Sequence, residues 1–284
     1  MRFKTGIILD CFQLPLAESL EKASELQVDG IQMYVNTKSV LPWINDGKQR
    51  RFWKNEISRL GLEISALCGD LGGYGFEIKA EHEKRILKTK EIIDLAVALD
   101  TNIITSRIGI ITDKTIENLI SAMRKIADYA KERGVYYAIE TGPETATQLN
   151  QFIEAVDKEN LKVNFDPANL IMIHGENAVS AVKILKDSIV HTHAKDGKQI
   201  KPCDPVKIYA AFAENDYSDV TMDDFFIELP LGEGDVGFPS YLSVLETIGY
   251  SGYLTIEREA GNNRVEDIKS AVTFLKNCCM SVAR

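Results

Sequence analysis

The sequence predicts a (β/α)₈ barrel, a single α/β domain over residues 1–284, and three observations carry that reading. Eight short β-branched runs alternate with eight longer amphipathic stretches, which implies parallel strands joined by right-handed crossovers. The composition does not break along the chain, and no Pro/Gly/Ser-rich linker separates two units. The 284 residues are close to the roughly 250 that one such barrel uses. A doubly wound open sheet is the competing arrangement. Its dinucleotide-binding form needs Gly-x-Gly-x-x-Gly after the first strand, where this chain has Asp10-Cys11-Phe12-Gln13, and there is no Gly-Lys-Ser/Thr phosphate loop.

The predicted strands span 3–9, 29–34, 62–67, 102–106, 136–140, 161–165, 189–193 and 253–257. Helices are predicted at 16–26, 48–60, 79–99, 114–133, 146–157, 177–186, 238–248 and 264–280. The longest is well patterned: Ile86, Ile92, Ile93, Leu95, Ala96 and Leu99 form one apolar face. One connection is anomalous. A long loop over about 194–237 follows the seventh strand, where βα loops usually have roughly 2 to 6 residues. It carries Tyr209, Phe212, Tyr217, Phe225 and Phe226 and ends in the glycine-rich run Gly232 to Gly237. Such an excursion reads either as a lid over the barrel mouth or as a subunit contact.

Charge narrows the partners. There are 33 Lys plus Arg against 42 Asp plus Glu, a formal net charge of −9, which opposes binding to nucleic acid or to an anionic membrane. No apolar run approaches the roughly 20 residues of a transmembrane helix. Near the N-terminus, Asp10 and Gln13 interrupt the apolar run Ile7 to Leu9 before a secretory core could form. Five scattered cysteines (Cys11, Cys68, Cys203, Cys278 and Cys279) show no C-x-x-C spacing, so a reduced, cytoplasmic protein is expected.

Barrel enzymes keep their chemistry at the C-terminal ends of the strands. Strand five ends in Glu140, strand six in Asp166, strand seven in His193 and strand eight in Glu257. Each carboxylate could instead cap the next helix, and for a single strand that would be the better explanation. Three carboxylates on one rim repel one another unless a cation lies among them. Four adjacent strand ends therefore point to a divalent metal held by Glu140, Asp166, His193 and Glu257. Oxygen-rich ligation with one imidazole suits Mn²⁺, Mg²⁺ or Co²⁺, with Zn²⁺ also compatible. His191 shares the inward face with His193 but lies a layer deeper, where a hydrogen-bonded packing role is expected. His82 is expected to be solvated and His174 to lie on a loop surface.

Such a metal between two glutamates can hold vicinal oxygens of a sugar, acidify the C–H between them and stabilise the developing enediolate. The carboxylates of Glu140 and Glu257 would move the proton. That chemistry is isomerisation or epimerisation of a small sugar or keto-sugar.

Several segments carry a family resemblance: Ala138-Ile139-Glu140, Asn164-Phe165-Asp166-Pro167-Ala168-Asn169, His191-Thr192-His193-Ala194-Lys195-Asp196-Gly197, Leu231-Gly232-Glu233-Gly234-Asp235-Val236 and Gly249 to Glu257. With Gln27 to Gln32 at strand two, they resemble the xylose isomerase-like sugar phosphate isomerase/epimerase family over essentially the whole chain. The resemblance implies a TIM barrel and the same four metal ligands, and it is consistent with a homo-oligomer. Members also include dehydratases of cyclic keto-polyols. There are two departures. Epimerases of the family carry His three residues after the metal-binding Asp, where this chain has Asn169. They carry a second Glu six residues after the first, where it has Ala146, with Glu144 out of register. Asn169 can still hydrogen-bond a substrate hydroxyl.

Lys195, Arg107 and Asp70 complete the candidate substrate-binding set. Lys195 continues the inward alternation of His191 and His193 and reads either as a substrate contact or as an ion-pair partner of Asp196 or a glutamate. Arg107 follows strand four and reads as a pocket group or as surface charge. Asp70 lies in the glycine-rich turn after strand three. Two other functions fit less well. A three-metal DNA-repair endonuclease on this barrel needs more imidazoles than four histidines supply. A non-catalytic sugar-binding barrel is left open by Asn169 and Ala146.

Overall fold

A computed structural model describes residues 3–282. Eight parallel strands close into a barrel: β1 (Lys4–Ile8), β2 (Gly30–Tyr34), β3 (Glu63–Cys68), β4 (Ile103–Ser106), β5 (Tyr136–Glu140), β6 (Leu161–Phe165), β7 (Ile189–Ala194) and, last in sequence, Tyr253–Ile256. Two further strands, β8 (Asp196–Gln199) and β9 (Phe226–Leu229), pair antiparallel in the excursion after β7, so the closing barrel strand is β10. Around the barrel the order is β1-β10-β7-β6-β5-β4-β3-β2, and β10 closes on β1 through Lys4↔Tyr253 to Ile7↔Ile256.

The helices are α1 (Leu16–Glu25), α2 (Gly47–Arg59), α3 (His82–Ala98), α4 (Ile116–Glu132), α5 (Ala146–Val156), α6 (Pro167–His174), α7 (Ala178–Leu185), α8 (Pro205–Glu214), α9 (Phe238–Thr247) and α10 (Arg264–Val282). The apolar face predicted for the third helix is buried against the barrel, with Ile92, Ile93, Leu95 and Ala96 inaccessible to water. Helix α4 presents Leu119, Ala122, Met123, Ile126 and Ala130 in the same way, a 3.6-residue pattern that removes one full stripe from solvent. Between helices and strands lies a continuous apolar shell built from Ile31, Leu67, Ile104, Ile139, Val163 and Leu254. Inside the upper barrel the layer is polar instead: Gln32, Thr105, Asn164, His191, His193 and Thr255 are all buried.

Ladder register slips at two places, between Ile31 and Gln32 opposite β3 and between Val163 and Asn164 opposite β7. Irregularities of this kind re-aim side chains. Here they sit beside the two amides that reach His193.

Two helices were not predicted. Helix α6 starts directly after β6 because Asp166 caps it and Pro167 fills its first position, and Gly175 ends it in the left-handed region at φ 63°. Helix α8 lies in the excursion, capped by Asp204 with Pro205 next. Two histidine expectations are corrected. His82 is not solvated: it is buried, with Nε2 bonded to the Phe76 carbonyl at 2.8 Å. His174 does not sit on a loop: it ends α6, half-buried, with Nε2 3.1 Å from the Pro143 carbonyl. No helix among the described residues is long and apolar enough to cross a membrane.

Candidate metal centre at the barrel mouth

Four contiguous strands, β5, β6, β7 and β10, deliver Glu140, Asp166, His193 and Glu257 to one point. One ligand atom from each lies within 4.8 Å of all the others. Each is held by the ladder that carries it. Glu257 N donates to the Ala194 carbonyl at 3.1 Å, and His193 stands opposite Thr255. The Thr141 hydroxyl donates to the Asp166 carbonyl and accepts the Asp166 N–H, which ties the ends of β5 and β6 together.

Asp166 shows how one carboxylate caps a helix and still faces the cluster. Its Oδ1 accepts the Asn169 N–H at 2.9 Å as the cap of α6, while Oδ2 turns to the cluster. That oxygen, His193 Nδ1 and Glu257 Oε2 are fully buried and make no hydrogen bond, although His193 Nδ1 lies 2.9 Å from Glu257 Oε2 and 3.4 Å from Asp166 Oδ2. Buried polar atoms are almost always satisfied. Three unsatisfied buried atoms converging beside the Glu140 carboxylate fit a divalent cation, and the donor set suits a hard or borderline ion.

Behind His193, Nε2 meets Gln32 Oε1 at 3.2 Å and Asn164 Nδ2 at 3.1 Å. Gln32 Oε1 also lies 2.9 Å from His191 Nε2, which in turn meets Thr255 Oγ1 at 3.0 Å. Gln32 Oε1 can accept a hydrogen carried on His193 Nε2, the arrangement in which Nδ1 offers its lone pair to a cation in the cluster.

Charge in the cluster is strongly coupled. Burial, followed by the neighbouring Glu257 carboxylate, pushes the Glu140 carboxyl up to about 8. Burial opposes ionisation of Asp166, but His193 and Lys195 outweigh it and hold its carboxyl below the usual range. For His193, burial disfavours the cation, yet Glu257 and Asp166 overcome it and raise the imidazole well above its ordinary value. His191, buried beside His193 without a carboxylate, is held neutral.

Next to the cluster lies a cavity of roughly 430 Å³ whose walls include Tyr34, Asp70, Arg107, Asn169, Lys195 and Tyr209. The excursion forms its outer wall through Tyr209, Phe212, Tyr217 and Phe226. Gly142 leaves the space that the Tyr209 hydroxyl fills, and Tyr74 bonds Glu214 at the end of α8. The long loop thus lines the mouth of the barrel. Asp196 anchors it: Oδ1 accepts N–H groups from Gly197 and Val236, and Oδ2 from Gly232 and Gly234, at 2.9–3.2 Å.

The sequence profile of the xylose isomerase-like TIM barrel family matches residues 20–278. The chain belongs to that family. Among solved structures, a xylose isomerase domain protein from Planctomyces limnophilus superposes with a TM-score of 0.79 at 26% identity, covering 99% of this chain and 98% of that one. D-psicose 3-epimerase from Clostridium cellulolyticum H10, solved with D-tagatose, superposes with a TM-score of 0.73 at 16% identity, over 97% and 99%. Inosose dehydratase of Lacticaseibacillus casei is 23% identical over 152 residues, 52% of this chain and 48% of that protein. This chain thus spans about half the length of the curated relatives it matches. Both epimerases and dehydratases stand among the proteins similar to this member of the family.

All four expected ligands come together, and Asn169, Lys195, Arg107 and Asp70 all line the adjoining cavity. Their contacts refine the expectations. The Asn169 amide nitrogen donates to Glu140 Oε1 at 3.3 Å and to the Thr141 carbonyl at 3.1 Å, so it orients the Glu140 carboxylate. Lys195 is buried and pairs with Glu259 at 2.8 Å rather than with Asp196. Burial would depress its ammonium, but Glu257, Glu259, Asp166 and Glu228 together raise it well above its ordinary value. Arg107 Nε donates to Asp70 Oδ2 at 2.7 Å, and Asp70 Oδ1 accepts the Gly72 N–H. Glu144 stays out of the cluster, buried against the Ile111 N–H at 3.0 Å. Sequence reasoning gave no role to Gln32, Asn164, Glu228, Glu259 or Tyr34. A polar residue inside the apolar run Ile31-Gln32-Met33 was the available signal for the first.

Proposed function

We propose that this chain moves a proton at the carbon beside the carbonyl of a small keto-sugar or keto-polyol, as a divalent-metal-dependent isomerase or epimerase. The observation that carries the reading is the convergence of Glu140, Asp166, His193 and Glu257 around three unsatisfied buried ligand atoms, open to a sugar-sized cavity. Mn²⁺, Mg²⁺ or Co²⁺ suits these residues, and when bound such an ion supplies charge stabilisation for an oxyanion developing on the substrate. The residues do the rest. Glu140 and Glu257 arise three strand positions apart around the barrel, so their carboxylates can address a carbon from different sides. One takes the proton and the other returns it. Asn169 orients Glu140, and the Lys195 ammonium lies 3.6 Å from the Glu257 carboxylate. The aromatic wall from the excursion excludes water while the carbanion equivalent exists.

The second reading is dehydration of a cyclic keto-polyol, favoured by the curated inosose dehydratase relatives. It begins with the same proton abstraction and then expels a β-hydroxyl. Proton exchange in D₂O with a keto-sugar and keto-polyol panel, with Mn²⁺ or Mg²⁺, tests both: retained carbon skeletons with exchanged or inverted centres support isomerisation or epimerisation, and loss of water supports the lyase. Glu257→Gln should abolish exchange while circular dichroism stays native. Full exchange in that variant would remove Glu257 from the proton path.

A further inference from the structure

We infer that the cavity takes an uncharged polyhydroxy ketone and discriminates against phosphorylated or carboxylated ones. This rests on the carbon-acid reading above and specifies its substrate class. The walls bring six carboxylates (Asp70, Glu140, Asp223, Glu228, Glu257 and Glu259) against two cations, Arg107 and Lys195. Asp166 adds a further carboxylate in the cluster. Each cation is already paired with carboxylates of the protein. Lys195 Nζ lies 2.8 Å from Glu259, 3.6 Å from Glu257 and 3.8 Å from Glu228. Arg107 is engaged by Asp70 at 2.7 Å. One divalent ion offsets two charges and leaves the chamber negative.

The backbone gives an independent argument. Barrels that hold a phosphate commonly use N–H groups of the loops after the seventh and eighth strands. Here the protein's own carboxylates occupy those groups. Asp196 accepts N–H from Gly232, Gly234 and Val236, the loop that closes the excursion after β7. Glu228 Oε1 accepts the Glu259 and Ala260 N–H groups after β10, at 2.9 and 3.1 Å, and the Arg258 guanidinium at 2.8 Å. A phosphate would have to displace a carboxylate from each set. The cavity instead presents acceptors to hydroxyl donors, and the rings of Tyr34, Tyr209, Phe212 and Phe226 to C–H faces.

The test titrates the Mn²⁺-loaded protein calorimetrically with matched pairs, D-fructose against D-fructose 6-phosphate and D-xylulose against D-xylulose 5-phosphate, with inosose as a cyclic uncharged probe. Each is also followed for α-proton exchange in D₂O. At least one uncharged probe should bind and exchange, and the phosphates should bind at least about 100-fold more weakly than that probe, the scale of a like-charge penalty. Glu259→Gln, which removes the shortest of the three ion pairs of Lys195, should raise phosphate affinity about tenfold. A phosphorylated ketose that exchanges and binds as tightly as any uncharged probe overturns the inference while leaving the carbon-acid reading in place. Absence of exchange with every probe overturns both. Unchanged phosphate affinity in Glu259→Gln overturns the electrostatic cause.

Discussion

Replacing Asp196 by asparagine changes one atom and should destabilise the wall of the cavity. The carboxylate is buried and accepts four backbone N–H groups, two on each oxygen. An asparagine keeps one acceptor oxygen and turns an NH₂ group toward the other pair of donors. Two hydrogen bonds to a charged acceptor are lost, each contributing about 1.5–3 kcal/mol, so the expected cost is roughly 3–6 kcal/mol. That is a large fraction of the roughly 5–15 kcal/mol by which a domain is stable. Urea denaturation followed by circular dichroism reads the global part. Limited trypsin digestion at Lys198, Lys201 and Lys207 reads local release of the excursion, which can open without unfolding the barrel. An Asp196→Asn protein with an unchanged midpoint and an unchanged cleavage rate would refute the view that this carboxylate holds the loop.

Three further outcomes are expected. Burial pushes the Glu144 carboxyl up to about 8 from its ordinary value of 4.5, so the folded chain holds a proton that the unfolded chain releases. Its contribution to stability is complete below the lower value and is lost as pH rises toward about 8, at about 1.4 kcal/mol per pH unit within that window. Glu144→Gln keeps the acceptor for Ile111 and should flatten thermal stability between pH 5 and 8; identical profiles would contradict the assignment. Gln32→Leu removes the acceptor beside His193 Nε2 and should weaken Mn²⁺ binding by roughly 10- to 100-fold, measured by electron paramagnetic resonance, with unaltered affinity as the opposing result. Gly75 has φ +57° and lies against the Ile108 carbonyl, so Gly75→Ala should cost at least about 1 kcal/mol and disturb the loop beside Arg107. A melting temperature equal to that of the unaltered protein would argue against it.

The barrel was legible because its signals are local. Each strand is a short β-branched run and each long helix a 3.6-residue stripe, and eight repetitions leave little choice of closure. The convergence of the four strand-end residues was legible for the same reason, since a strand's last residue lies at the rim whatever its neighbours do. Helix α6 escaped notice because the residue read as a ligand, Asp166, is also its cap. Strands β8 and β9 escaped because Asp196–Gln199 and Phe226–Leu229 are short, irregular in pattern and far apart in sequence. His82 looked solvated at a helix start, and only packing against Phe76 shows why it is buried.

By itself the sequence determined the architecture, the four candidate ligands and the acidic balance, because alternation, periodicity and charge are properties of neighbouring residues. Tertiary structure decided what each polar group faces. Gln32 reaches His193 across 161 positions, and Lys195 meets Glu259 across 64. Glu228, on a strand invisible in the sequence, caps the N–H groups after β10. Such pairings follow from barrel closure and from the fold of the excursion, and they determine the charge that a substrate meets.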